Sequence, residues 1–329
     1  AIRRPLAALF VTFHLAAAVR LRLARLRGER YDIVQTIDSA SMGADIVYAQ
    51  FCHRAYLRDQ WSTSRPSGLR GVARWVFEVL AAAMEGPVLG RAKLIVVPSE
   101  GLRREIEGCY PATRGRVRVV PNAVEPERMR PPADLDRGAL RDELDLPRDV
   151  TLLVFIALGH YERKGLPIVL DALEQLDDVH LVVVGGTNQQ IAPYRKDLAA
   201  RGLADRVRFA GPSSDVRPHL WASDAFVFPS AYETFSYVSY EAAAAGLPLV
   251  VTELYGVEEF MVDGKTGFVV DRDGDAVARA IGELVVAGPN GRRTMGEHAA
   301  AAVAGTTVEN YVAGWTSAYV DLLDAAGAR

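Results

Sequence analysis

The chain has 329 residues, 50% apolar and 24% charged, with a formal net charge of −3. That length accommodates about two domains of roughly 150 residues each, in the balance of a soluble globular protein. The small net charge gives no global attraction to nucleic acid. The two cysteines, Cys52 and Cys109, form neither a disulfide framework nor a metal-ligand spacing, a usage that suits a reducing, cytoplasmic compartment.

No segment reaches the roughly 18 apolar residues of a membrane-spanning helix. The nearest is Pro5 to Val19, interrupted by Thr12 and His14, and it runs on into Arg20, Arg22, Arg25 and Arg27 with apolar residues between them. This pattern reads as a basic amphipathic helix. Two roles fit it: peripheral contact with an anionic membrane at its inner face, or a surface helix leading into the strand that follows promptly. No small-residue cleavage site follows, as a secretory signal requires.

Strands are predicted at 31–37 and 45–51, then a helix from about Gly68 to Leu89, then a buried strand at 93–97. Ser99 is placed to cap a helix running through Gly108. Another strand at 116–120 ends at Pro121-Asn122. The stretch 126–149, with its prolines and charges, reads as an inter-domain linker. Beyond it the pattern is more regular. Strands are predicted at 151–157, 179–185, 207–210, 225–229, 248–252 and 267–270. Helices are predicted at 166–176, 191–201, 216–222, 236–245 and 257–262, and near 276–287 and 308–325. Alternating strands and helices imply an α/β class with a parallel, doubly wound sheet. The expected division is 1–127, 128–307 and a helix 308–329 packing back toward the N-terminal domain.

Ligands of such sheets bind at the carboxyl ends of strands. After the first strand of the second half, Gly159 and Gly165 allow tight turns, while His160, Arg163 and Lys164 set cations at the mouth of the sheet. This suits a diphosphate, or else begins a helix with two solvated basic side chains. It is not the glycine fingerprint of a nicotinamide site. After the fourth strand come Glu233 and Glu241, flanking a helix expected to start near Phe235. Its first backbone N–H groups, from Phe235, Ser236 and Tyr237, suit an anion. Glu241 suits a ribose diol and Glu233 sugar hydroxyls. The plainer readings are a helix N-terminal charge for Glu233 and a surface position for Glu241.

Glu233 and Glu241 at this spacing, followed by an alanine-rich helix and Gly246-Leu-Pro-Leu-Val-Val, resemble the signature of retaining GT-B glycosyltransferases of family 4, the glycosyl transferases group 1. Lys164-Gly165, Gly185-Gly186, Phe209-Ala-Gly211, Val119-Val-Pro-Asn122, Gly256 with Glu258 or Glu259, and Asp263-Gly-Lys-Thr-Gly267 match further family elements in order. The resemblance covers about residue 90 to the end. It implies two facing Rossmann-like domains and a UDP- or GDP-sugar donor, without an obligatory cofactor or metal. Lys164 then neutralises the diphosphate, Glu241 holds the ribose, and Glu233 with the backbone of Phe235 to Tyr237 holds the sugar and phosphates. Gly159, Gly185 and Phe209 line the same site. His160 stands where the family usually has Arg, so Arg163 or a protonated His160 supplies the second cation.

In the first half, His53 follows a strand end where the family often places a histidine near the transferring sugar. The alternative is a packed core or surface histidine. Asp38, after the preceding strand, is a weaker candidate. The family's opening strand and glycine-rich loop have no counterpart before Tyr31, so the N-terminal domain is expected to be incomplete. The function expected is sugar transfer to a glycan, lipid-linked or small-molecule hydroxyl with retention, His53, Lys164 and Glu233 serving the chemistry. The rival readings are a nucleotide-sugar 2-epimerase and a degenerate, non-catalytic protein of the same fold.

Overall fold

The computed structural model describes residues 6–38, 41–64 and 68–327; Pro5, at the head of the apolar run, lies outside them. The chain divides into two units, residues 1–122 with 309–329, and residues 123–308. The boundaries between these units fall at 122/123 and 308/309.

The first unit opens with α1 (Leu6–Leu26), then β1 (Gln35–Ile37), β2 (Ile46–Tyr48), α2 (His53–Ala55), a π-helical turn at Tyr56–Gln60, α3 (Trp61–Ser64), α4 (Gly68–Arg91), β3 (Leu94–Val97), α5 (Glu100–Cys109) and β4 (Val117–Val119). Ser99 caps α5, its hydroxyl accepting from the Leu102 N–H at 3.2 Å. The four strands are parallel and pair in chain order. Successive side chains of a strand point to opposite faces. Val47, Ile95 and Val97 therefore pack on one side with Leu89 and Leu102, while Ile46, Tyr48 and Val96 meet Trp315 on the other. Trp315 belongs to the chain's last helix, so the C-terminal segment completes the first unit's core.

The expected one-sided character of α1 does not hold in its first half. Phe10, His14, Ala17, Leu21 and Ala24 are the more enclosed positions, yet Leu9, Val11, Phe13, Leu15 and Val19 are exposed. Apolar residues surround the helix there, and the arginines follow only in its second half. No helix among the described residues is long and apolar enough to cross a membrane.

The second unit contains α6 (Pro126–Met129), α7 (Arg137–Glu143), β5 (Thr151–Ile156), α8 (Tyr161–Lys164), α9 (Leu166–Leu173), β6 (Val179–Val184), α10 (Asn188–Ala200), β7 (Val207–Gly211), α11 (Arg217–Ala222), β8 (Ala225–Phe228), α12 (Tyr237–Ala244), β9 (Leu249–Val251), a 3-10 turn at Val257–Glu259, β10 (Gly267–Val269) and α13 (Gly274–Val303). α13 is kinked at Gly288, just before Pro289, and α14 (Val308–Gly327) ends the chain. The sheet is wholly parallel in the order β7-β6-β5-β8-β9-β10. Both its faces are covered, which is why β5 and β6 read as mainly apolar runs, with Thr151 at the start of β5 and His180 near the start of β6.

One expectation is corrected here. The stretch 126–149 is not a free linker, because α6 and α7 pack within the second unit. Arg137 and Arg141 of α7 each pair with Asp224 at 2.8 Å, and the Trp221 indole N–H donates to the Met129 carbonyl at 2.7 Å. Prolines and charges suggested solvent; Arg137 and Arg141 instead share a fixed partner, Asp224, about 85 residues further on.

Candidate active site

The strand order of the second unit reverses between β5 and β8, where such sheets open a crevice at their carboxyl ends. The predicted residues flank that point. His160, Arg163 and Lys164 follow β5, and Glu233 follows β8. Lys164 and Glu233 come together as an ion pair, their side chains 17% and 14% exposed. Glu233 also accepts from the Ser230 hydroxyl at 2.8 Å. Arg163 lies 3.8 Å from the same carboxylate and donates to the Tyr232 carbonyl at 2.8 Å. The Lys164 ammonium sits 5.2 Å from the centre of the Phe228 ring. Burial pulls its pKa below the ordinary lysine value, against the opposing pull of Glu233.

Backbone geometry makes this meeting possible. Gly165 has φ +87, and a Cβ there would lie 2.2 Å from the Pro229 carbonyl oxygen. Only glycine lets the β5 and β8 loops touch in this way. Gly185 works similarly: its φ is +101, and a Cβ would lie 2.2 Å from the Ala157 carbonyl oxygen. Arg163 and Lys164 are not the solvated side chains of a helix start that the alternative reading took them for, being 26% and 17% exposed. They end the one-turn α8, and Gly165 starts α9 in a new direction.

Arg272, which the sequence did not single out, ties the two loops together. It donates to the Pro229 carbonyl at 3.1 Å and to the Glu162 carbonyl at 2.6 Å. An arginine between two aspartates looks solvated in sequence, and nothing local marks it. The remaining predicted positions lie nearby in the chain's geometry. His160 is exposed with φ +56, and Gly159 is buried against the Gln190 amide. The Tyr161 hydroxyl donates to the Gly185 carbonyl at 2.7 Å. The Phe209 side chain belongs to the core, 6.5 Å between ring centres from Tyr161, so only its backbone is available to a ligand.

The helix expected near Phe235 begins two residues later, at Tyr237, after Ser236 with φ +60. The Phe235 ring is 2% exposed and stacks on Tyr240 at 4.4 Å, so it too serves the core. Ser236 is buried, its hydroxyl 2.7 Å from that of Ser239, while Tyr237 is exposed. Glu241 occupies the second turn of α12, half-buried beside the buried Tyr240 and Ala242. Its carboxylate has no hydrogen-bond or ion-pair partner among the described residues, and burial raises its pKa to about 7.

In the first unit, His53 starts α2 just beyond β2 and is 8% exposed. Its ring Nδ1 lies 2.5 Å from the Glu78 carboxylate, and its backbone N–H donates to Glu85 at 2.5 Å. Asp38, after β1, accepts from the Gln50 N–H at 2.8 Å, and burial raises its pKa. Glu78 and Glu85 were missed in the sequence. Two carboxylates seven residues apart, on the same face of one helix, were the available signal. Among the described residues no group of three or more His, Cys, Asp or Glu side chains is placed to hold a metal ion.

Residues 151–286 match the glycosyl transferases group 1, and residues 2–128 match glycosyltransferase family 4. The chain belongs to glycosyltransferase family 4. This family 4 chain is 35% identical over 187 residues to the lipopolysaccharide core biosynthesis glycosyltransferase LpsE of Rhizobium meliloti, covering 56% of this chain and 52% of that protein. It is 33% identical over 258 residues to a D-inositol 3-phosphate glycosyltransferase of Xylanimonas cellulosilytica, covering 73% and 59% respectively. The chain thus spans about half to three-fifths of the length of these curated relatives. Sucrose-phosphate synthase from Thermosynechococcus elongatus superposes with a TM-score of 0.78 at 22% identity, over 96% of this chain and 79% of that one. Anabaena HepE in complex with UDP superposes with a TM-score of 0.68 at 19% identity, over 85% and 79%. The fold is GT-B.

Proposed function

We propose that this family 4 chain transfers a sugar from a nucleotide-diphosphate donor, a UDP- or GDP-sugar, to an acceptor hydroxyl with retention. The observation that carries the reading is Glu241. A half-buried carboxylate with no protein partner is costly to keep, and a ribose diol supplies the two hydroxyl donors it lacks. Lys164 and the start of α12 then neutralise the diphosphate as its bond to the sugar breaks, in a site largely withdrawn from water. Glu233 orients Lys164 and accepts from sugar hydroxyls, and in the first unit His53 is assigned a hydrogen bond to a sugar hydroxyl. The leaving phosphate takes the acceptor proton, so no dedicated protein base is required. Support for a UDP donor comes from the HepE structures, which hold UDP and UDP-glucose. The names of the curated relatives favour hydroxyl acceptors such as a lipopolysaccharide core or an inositol phosphate. The exposed apolar residues and trailing arginines of α1 suit contact with an anionic lipid surface, which sedimentation with anionic and neutral vesicles tests.

Calorimetry and turnover with UDP-, GDP- and dTDP-sugars test the main reading. Lys164→Ala should weaken transfer at least about tenfold, since a charged hydrogen bond contributes roughly 1.5–3 kcal/mol. Equal turnover in the variant would sink the phosphate assignment. Binding without transfer or hydrolysis would mark a non-catalytic protein, and an epimerised donor a 2-epimerase.

A further inference from the structure

We infer that Glu78 is a positioning residue for His53: it holds the imidazole in one tautomer and leaves Nε2 as a hydrogen-bond acceptor for a sugar hydroxyl. The inference rests on the reading of His53 given under the proposed function.

Glu78 is 0% exposed and Glu85 4% exposed, both on α4. Burying a carboxylate costs several kcal/mol unless it is paired. Two such groups, two turns apart on one helix, need partners, and both find them at His53. Glu85 takes the backbone: it accepts from the N–H of His53 at 2.5 Å and of Arg54 at 3.1 Å, and from the Tyr110 hydroxyl at 2.8 Å. It thereby caps α2 from outside, where Cys52, the residue at the cap position, makes no side-chain cap bond. Glu78 takes the ring. One of its oxygens lies 2.5 Å from Nδ1, and the other pairs with the Arg74 guanidinium.

An ionised carboxylate only accepts hydrogen bonds. Nδ1 must therefore carry the hydrogen, and the lone pair of the neutral ring lies on Nε2. That atom makes no hydrogen bond among the described residues and keeps some contact with solvent, the side chain being 11% exposed. The rings of Phe51 and Phe77, centred 5.0 and 5.6 Å away, flank the imidazole. Backbone, tautomer and ring plane are thus each fixed by a different group. The ring is held at Nδ1 while Nε2, without a partner among the described residues, stays open to a ligand hydroxyl.

Nitrogen NMR of histidine-labelled full chain, with the His53 signals assigned by their loss in His53→Ala, reads the tautomer directly. At about pH 8, where histidines are mostly neutral, wild type should show a protonated Nδ1 and an unprotonated Nε2. In Glu78→Gln the amide oxygen stays with Arg74 and the NH2 faces Nδ1, so the ring should switch to the Nε2–H form. Transfer should then fall at least about tenfold in kcat with donor KM within about twofold. In a His53→Ala background the same substitution should cost nothing further. An Nε2–H ring in the wild type would overturn the proposal, and needs no variant to detect. So would an unchanged tautomer in Glu78→Gln, or an equal loss in both backgrounds. Absence of any transfer by wild type would instead count against the proposed function, while the tautomer still decides the placement.

Discussion

With Glu241 holding the donor ribose as proposed, donor affinity should depend on pH and weaken as the carboxylate gains a proton. Burial lifts its pKa to about 7 from the ordinary 4.5. A ribose diol needs an ionised acceptor, so the binding-competent fraction should fall from about nine-tenths at pH 8 to about one-tenth at pH 6. The apparent Kd of an intact nucleotide-sugar should therefore weaken by about tenfold over that interval. The diphosphate of such a donor carries constant charge over that interval and adds no slope of its own. Glu241→Gln should flatten the profile and weaken binding at pH 8 by at least about tenfold, the loss of one charged hydrogen bond. Stability should move the other way. A carboxyl whose folded pKa is raised leaves the fold most stable below the unfolded pKa, and stability is lost as pH rises from about 4.5 through 7. The difference corresponds to at most about 3 kcal/mol. The Gln variant should accordingly outlast wild type in urea at pH 8 and lose that advantage near pH 4. Titration calorimetry at several pH values and urea unfolding provide both readouts. A pH-independent wild-type affinity, or a Gln variant that binds as well as wild type, would refute the role given to this carboxylate.

Gly165→Ala should cost about 2 kcal/mol or more of stability and most donor binding, since the methyl would press on the Pro229 carbonyl oxygen from a φ of +87; melting curves with and without donor read both. Asp224→Ala should cost about 3–5 kcal/mol in urea unfolding, because it strands the buried Arg141 and removes an acceptor from the Leu152 N–H. A smaller loss would mean that 137–143 is not anchored as described. Arg272→Ala should raise donor KM more than it lowers kcat, since it releases the β5 and β8 loops without touching a reacting atom. Unchanged KM in steady-state assays would deny it that part.

Much of the second unit was legible because a parallel sheet buried on both faces leaves a strong local trace. β5, β6 and β8 are mainly apolar runs, and the glycines at 165 and 185 stand where the chain must turn sharply. Lys164, Glu233 and Glu241 were found from residue type and spacing beside those turns. Their local environments were less accessible. The aromatic rings of Phe209 and Phe235 look available next to a polar loop, yet they fill the core, because an apolar ring gains more from burial than from lining a wet crevice.

Periodicity and turn chemistry within short windows were enough to set the alternation of strands and helices, the α/β class and the residues that bracket the switch point. Who pairs with whom depended on the folded chain. Lys164 meets Glu233 across 69 residues, Asp224 gathers Arg137 and Arg141 from a stretch that read as linker, Trp315 completes the core of the first unit, and Glu78 reaches back 25 residues to the ring of His53. A charge carries no mark of its partner in the chain; the pairing follows from which loops the sheet order brings side by side, and burial then makes each unpaired alternative too costly to persist.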